Sequence, residues 1–272
     1  MDTHRVTTST IPKTRTEAIG VVLPVHNEEE LLQRALEAIE EAFSHVAHVV
    51  ARCRTAVVLD HCSDASSSIT QEWIRKLRRR GGPHQATART CRSACVGDAR
   101  RTGMSALLRD WVDTDPARIW LATTDADSRV PGGWLAAQRA AHEAGADLWA
   151  GRVAIDDWSL YQRTTSLRWT EAYDAEASPI HGANLGFNAQ LYLAAGGFTP
   201  LATSEDRTLY DAIVKLGARA HEDPNVKVIT SGRRHARAPM GFSHRLGTLE
   251  EDVLAATSSE YPISKELSGC GR

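Results

Sequence analysis

The stretch Ile119-Trp-Leu-Ala-Thr-Thr-Asp-Ala-Asp-Ser128 decides how the chain is to be read. It opens on apolar and β-branched residues, the composition of a strand buried on both faces. It then stops at two carboxylates, Asp125 and Asp127. The same pattern stands upstream. Ile19-Gly-Val-Val-Leu-Pro-Val25 is a second such run, followed by Asn27, and Thr55-Ala-Val-Val-Leu-Asp60 is a third that ends on a carboxylate. Between the runs, apolar residues recur at helical spacing: Leu32, Leu36, Ile39 and Phe43; then Ile69, Trp73 and Leu77; then Met104, Leu107 and Trp111. Asn27 is placed to cap the first helix, with Glu28, Glu29 and Glu30 in its first turn. Strand–helix alternation predicts an α/β fold, a mostly parallel central sheet with helices on both faces. Such sheets bind ligands outside the carboxyl ends of their strands. Asn27, Asp60 and Asp125 all fall there.

Beyond Ser128 the alternation is less regular. Residues 146–155 read as a strand, and a helix carries Trp169 and Tyr173. Gly182-Ala-Asn-Leu-Gly-Phe187, a helix near 188–195 and Gly196-Gly197 come next. Ser204-Glu-Asp206 then opens a helix with Leu209, Ile213 and Leu216, and residues 226–229 read as a last strand. Residues 18–256 are expected to form one domain. Residues 1–17 read as a disordered tail and 257–272 as loosely held.

A formal net charge of −2 gives no electrostatic case for nucleic acid or an anionic membrane. No run of about 18 apolar residues is present, so no spanning helix is expected. The polar, Thr-rich start does not read as a secretory signal. Five scattered cysteines do not form a disulfide framework, and reduced thiols in the cytoplasm are expected. The basic run Arg75–Arg80 reads as a solvated helix end.

The chemistry lies in the carboxylates. Asp125 and Asp127, just past a strand, can both turn toward one oxygen-rich site. Carboxylate oxygens suit Mg²⁺ or Mn²⁺, with diphosphate oxygens completing the shell. Asp60 can accept from a base N–H or a ribose hydroxyl, or it can cap the next helix. Arg100 can pair with a phosphate, or be an exposed helix arginine. Glu205 and Asp206 suit a helix start through the macrodipole alone. They also suit a general base that takes a proton from an acceptor hydroxyl. His235 and His244 lie further on, among Arg233, Arg234 and Arg237, and a neutral imidazole can bind a metal. Trp158, Tyr161, Trp169 and Tyr173 read as core, with stacking on a sugar as the other possibility.

Taken in order, Val21-Val-Leu-Pro-Val-His-Asn-Glu28, Val57-Val-Leu-Asp-His-Cys-Ser-Asp64, Val96-Gly-Asp-Ala-Arg100, Thr124-Asp-Ala-Asp127, Gly182-Ala-Asn-Leu-Gly-Phe187, Gly196-Gly-Phe198 and Glu205-Asp206 resemble the family 2 glycosyltransferases. The resemblance runs from about Ile19 to Gly241. It implies a GT-A fold that merges a donor half, about residues 18–130, with an acceptor half, about 131–256, and inverting transfer from a nucleotide-diphospho-sugar. It implies that Pro24, Asn27 and Glu28 form the first nucleotide-side motif, that Asp60 reads the nucleoside and that Arg100 is a basic residue on the donor side. Asp125 would face ribose or metal, Asp127 would ligate the metal, and His235 stands roughly where relatives place a metal-ligating His. Asp206 would be the catalytic base, with Glu205 its neighbour. Cys95 and Arg101 depart from the pattern, where Asn is common. The family's frequent hydrophobic C-terminal segment is missing, which disfavours an acceptor handled within a membrane. Two other functions compete with sugar transfer: a non-catalytic nucleotide-sugar-binding or scaffold protein, and a sugar-phosphate nucleotidyltransferase. The latter usually carries a Gly-rich, Arg-containing loop where this chain has Pro24-Val-His-Asn-Glu28. No G-x-G-x-x-G follows a strand, which disfavours a dinucleotide dehydrogenase.

Overall fold

The computed structural model describes residues 15–176, 179–234 and 242–260. Four parallel strands form one side of a sheet: β1 (Ala18–Val25), β2 (Arg52–Asp60), β3 (His84–Cys91) and β4 (Ile119–Thr123), in the order β3-β2-β1-β4. Parallel neighbours need crossovers, and α1 (Leu32–Ser44), α2 (Ser66–Arg80) and α3 (Val96–Asp110) supply them. The chain moves from β1 outward to β3, then returns to lay β4 on the other side of β1. That reversal opens a crevice at the carboxyl ends of β1 and β4. Asn27 and Asp125 stand beside it.

Pro24 lies in a central strand without breaking the ladder. Val22 O accepts from Thr124 N, near the end of the β1–β4 ladder, and Pro24 follows two residues later. Its missing donor therefore falls beyond the pairing.

Four further strands complete the sheet: β5 (Ser128–Arg129), β6 (Leu148–Ile155), β7 (Leu185–Asn188) and β8 (Ala220–Thr230), giving the order β3-β2-β1-β4-β7-β6-β8-β5. β7 runs antiparallel to both β4 and β6, and β5 antiparallel to β8, while β6 and β8 are parallel. α4 (Trp134–Glu143), α6 (Ala189–Ala194) and α7 (Glu205–Lys215) cover this part. Both faces of β1 are buried. Ala18 and Val22 share a core with Met104 and Leu107 of α3, Tyr192 of α6 and Ile213 of α7. The alternate residues Ile19, Val21 and Leu23 are equally buried outside that core, and α1 packs with α2 and α4.

One local reading is corrected. α1 begins at Leu32, so Asn27 is not its cap and Glu28–Glu30 precede its first turn. Asn27 instead adopts a left-handed backbone, φ 53°, and its Oδ1 accepts from Ser63 N at 2.8 Å. β3 and β7 escape the pattern of apolar runs. β3 is an edge strand whose sequence, His-Gln-Ala-Thr-Ala-Arg-Thr-Cys, is polar because much of it is only partly covered.

Asn184, fully buried, holds the middle of the sheet. Its Oδ1 accepts from Trp134 Nε1 and Trp149 Nε1, and its Nδ2 donates to Arg152 O and Val226 O. One amide thus satisfies two indoles and two carbonyls from α4, β6 and β8.

The chain divides into two compact units, residues 1–156 with 178–231 and residues 157–177 with 232–272. The first holds the sheet. The second holds α5 (Arg163–Ala175) and α8 (Phe242–Glu260), which pack together. Within it, the Glu250 carboxylate accepts from Gln162 N and Thr165 Oγ1 and pairs with Arg234. Tyr161 and Tyr173 are buried there, and Trp169 stacks on Tyr173 at 5.5 Å. α8 reaches Glu260, into the stretch read as a loose tail. Residues 1–14 and 261–272 lie outside the described residues. Among the described residues, no helix is long and apolar enough to cross a membrane.

Candidate active site

The loops after β1 and β2 are laced together. Glu28 N donates to Ser66 Oγ at 2.8 Å and Glu29 N to Asp64 Oδ2 at 2.9 Å. In return Glu29 Oε2 accepts from Ala65 N, and Asp64 Oδ1 from Ser66 N. Glu29, which appeared to serve α1, thus holds the start of α2 together with Asp64, where the exposed N–H groups and the dipole favour carboxylates. Among these, burial opposes but hydrogen bonding wins at Asp64, whose carboxyl is held below its ordinary range by Ser66 and Glu29 N.

Asp60 ends β2 and is buried. Its Oδ1 lies 2.9 Å from His61 Nδ1 and 3.4 Å from Ala94 N, while His26 Nδ1 meets Asp60 O at 2.7 Å. Beside it, a cleft of about 380 Å³ opens at the carboxyl ends of β2 and β3, lined by Leu59, Cys62, Cys91 and Arg92 among others.

Arg100, in the first turns of α3, is only 3% exposed. Its Nη2 donates to Asp125 Oδ1 at 2.6 Å and its Nη1 to Glu205 Oε1. Burial works against the charge, but Asp125 and Glu205 outweigh it and hold the guanidinium above its ordinary value. For Glu205, burial raises the carboxyl, Arg100 pulls it back and Asp206 raises it again, with a net upward shift. One cation faces three carboxylates.

Asp206 stands in the first turn of α7, after a left-handed Ser204, φ 62°. Its Oδ2 accepts from Gly182 N and its Oδ1 from Arg207 N, both at 2.7 Å. Gly182 is needed there, because a Cβ would overlap the Arg100 guanidinium. Asp127 leaves the end of β4 partly exposed, and Ser128 Oγ lies 3.1 Å from Asp127 Oδ1 and 3.0 Å from Thr230 Oγ1. The β5–β8 pairing therefore positions Asp127.

A sequence profile described as glycosyl transferase family 2 matches residues 20–192. The chain belongs to glycosyltransferase family 2. The matched span includes Pro24, Asn27, Glu28, Asp60, Arg100, Asp125 and Asp127 of this glycosyltransferase. Its fold is similar to that of the mannosyltransferase PcManGT from Pyrobaculum calidifontis, solved with GDP-Man and Mn²⁺. The two are 19% identical with a TM-score of 0.58, over 93% of this chain and 78% of the other. Glucosyl-3-phosphoglycerate synthase from Mycobacterium tuberculosis is more distant, at 16% identity and a TM-score of 0.46 over 92% and 82%. No curated protein sequence matches.

In this glycosyltransferase, the structure joins Asp125, Arg100, Glu205, Asp206 and Gly182 into one cluster. Asn27, Glu28 and Asp60 form a second group at the ends of β1 and β2. His235 lies outside the described residues, and His244 is exposed on α8 in the second unit. Arg101, one of the departures from the family pattern, points to the surface and pairs with Asp98 at 2.5 Å. Sequence reasoning gave no role to Gly182 N, Ser128 or Thr230. Their only signal was position, next to motifs already singled out.

Proposed function

We propose that this glycosyltransferase moves a sugar from a nucleotide-diphospho-sugar to an acceptor hydroxyl with inversion, using Asp206 as general base and a divalent metal at Asp127. The observation that carries this reading is the bridge from Asp125 through Arg100 to Glu205, next to Asp206. It brings a strand-end carboxylate on the donor side and a helix-start carboxylate on the acceptor side into one cluster.

Asp206 takes the proton of the acceptor hydroxyl as its oxygen bonds to the anomeric carbon. The bond to the diphosphate breaks on the opposite face, and the diphosphate leaves with the electron pair. A single displacement needs no carboxylate nucleophile, so the configuration inverts, by the same geometry as in inverting hydrolases. Asp60, beside the cleft at the ends of β2 and β3, would accept from the nucleoside. The donor set fits Mg²⁺ or Mn²⁺. Asp127 offers oxygen and is partly exposed, and among the described residues no group of three His, Cys, Asp or Glu forms a protein cage. Such ions keep open positions for phosphate oxygens. A bound ion would neutralise charge on the departing diphosphate. The donor and Mn²⁺ in PcManGT are of this kind.

The test is release of nucleoside diphosphate from UDP-, GDP-, ADP- and TDP-sugars, with Mn²⁺ and with EDTA. Turnover of at least one sugar nucleotide, abolished by EDTA, is expected. Binding without turnover of any donor would favour a non-catalytic binding protein instead.

A further inference from the structure

We infer that Arg100 is a positioning residue, which fixes the donor-side and acceptor-side carboxylates in one frame and does not itself bind the donor diphosphate. The inference rests on the function proposed above. Arg100 looked suited to a phosphate, yet its side chain is 3% exposed, Nη2 donates to Asp125 and Nη1 to Glu205, and Nε, which has no hydrogen-bond partner, is buried with them. The backbone of Gly182 lies against the guanidinium with no room for a Cβ. The Phe198 ring centre is 5.8 Å from its Cζ. Each terminal nitrogen keeps a second N–H, but the whole group is enclosed, so a phosphate oxygen could reach it only by displacing the side chains and backbone packed around it.

The four partners come from distant parts of the chain. Asp125 follows β4, Gly182 precedes β7, Glu205 opens α7 and Phe198 lies between α6 and α7. Gly182 also donates to Asp206 Oδ2. The guanidinium therefore sets where the proposed base stands relative to the proposed donor site. It does so through a planar fork that reaches two carboxylates at once, which a lysine ammonium on a flexible stem does not reproduce. A displacement of about 1 Å in such a frame costs about a hundredfold in rate without weakening ground-state binding.

The variant Arg100→Lys keeps the charge and loses the fork. Two quantities are read, kcat and KM for nucleoside diphosphate release, and calorimetric Kd values for UDP and GDP in Mn²⁺. The expected result is a kcat lower by about 10- to 100-fold, with KM and Kd within about threefold of wild type. A Kd raised about tenfold with kcat retained makes Arg100 a diphosphate ligand and overturns the inference. Unchanged kcat, KM and Kd overturn it too. If Arg100→Lys does not fold, Glu205→Gln replaces it. There the fork loses a charged anchor, and a lower kcat at unchanged Kd is expected; a raised Kd or an unchanged kcat contradicts the inference. A wild-type enzyme that turns over no sugar nucleotide overturns the proposed function and this inference together. Wild-type turnover with an unaltered Arg100→Lys variant overturns this inference alone.

Discussion

Asp127 and Asp125 are two residues apart and differently employed. Asp125 has one oxygen held by Arg100, whereas Asp127 remains partly exposed beside the Ser128 and Thr230 hydroxyls. In the proposed function Asp127 is the metal-side carboxylate. Asp127→Asn is expected to weaken calorimetric binding of UDP or GDP in Mn²⁺ by about tenfold or more, the scale seen for lost metal ligands and their supports. The melting temperature should stay close to wild type, because the side chain is not buried. Unchanged nucleotide affinity would remove Asp127 from that role. Much of this cluster was legible in the sequence, because strand ends and helix starts announce themselves locally. The employment of Arg100 was not. Its partners lie 25 and 105 positions away, and burial of a charge between two carboxylates leaves no local mark.

Elements with an apolar run or a clean helical period were legible from the sequence, as β1, β2, β4, α2, α3 and α7 show. β3 was not, since an edge strand paired only to β2 can afford a polar sequence. The start of α1 was misplaced, because Asn27 and Glu29 carry good capping chemistry that is spent on the neighbouring loop. The joint between α4, β6 and β8 rests on Asn184. Asn184→Ala would leave two buried indole N–H groups and two carbonyls without their partner. It is expected to lower stability by about 3 kcal/mol in urea unfolding, within the range for unsatisfied buried groups. A loss below about 1 kcal/mol would show that water or rearrangement replaces the amide.

Stability across the fold should depend on pH through buried imidazoles. His84 lies against Phe43 at 4.0 Å and meets Thr55 Oγ1 at 2.9 Å. Burial, with help from Arg80, pushes its pKa down to about 3. The unfolded imidazole titrates near 6.5. Below that pH the unfolded chain takes a proton that the native chain refuses, so the contribution is complete above about 6.5 and is lost as pH falls toward about 3. Between pH 6.5 and 5 the loss is about 2 kcal/mol. Burial lowers His142 in the same sense. Urea unfolding at pH 7 and pH 5 should show His84→Gln lacking about that share of the wild-type loss, and an equal loss in both proteins would contradict it. Catalysis makes the larger claim, that a base on α7 serves a donor held at the ends of β1, β2 and β4. It is tested by kcat of Asp206→Asn on whichever sugar nucleotide the wild type turns over, with nucleotide Kd measured alongside. The expected result is a kcat lower by about 10²–10⁴-fold at unchanged Kd. Full activity in Asp206→Asn would contradict it.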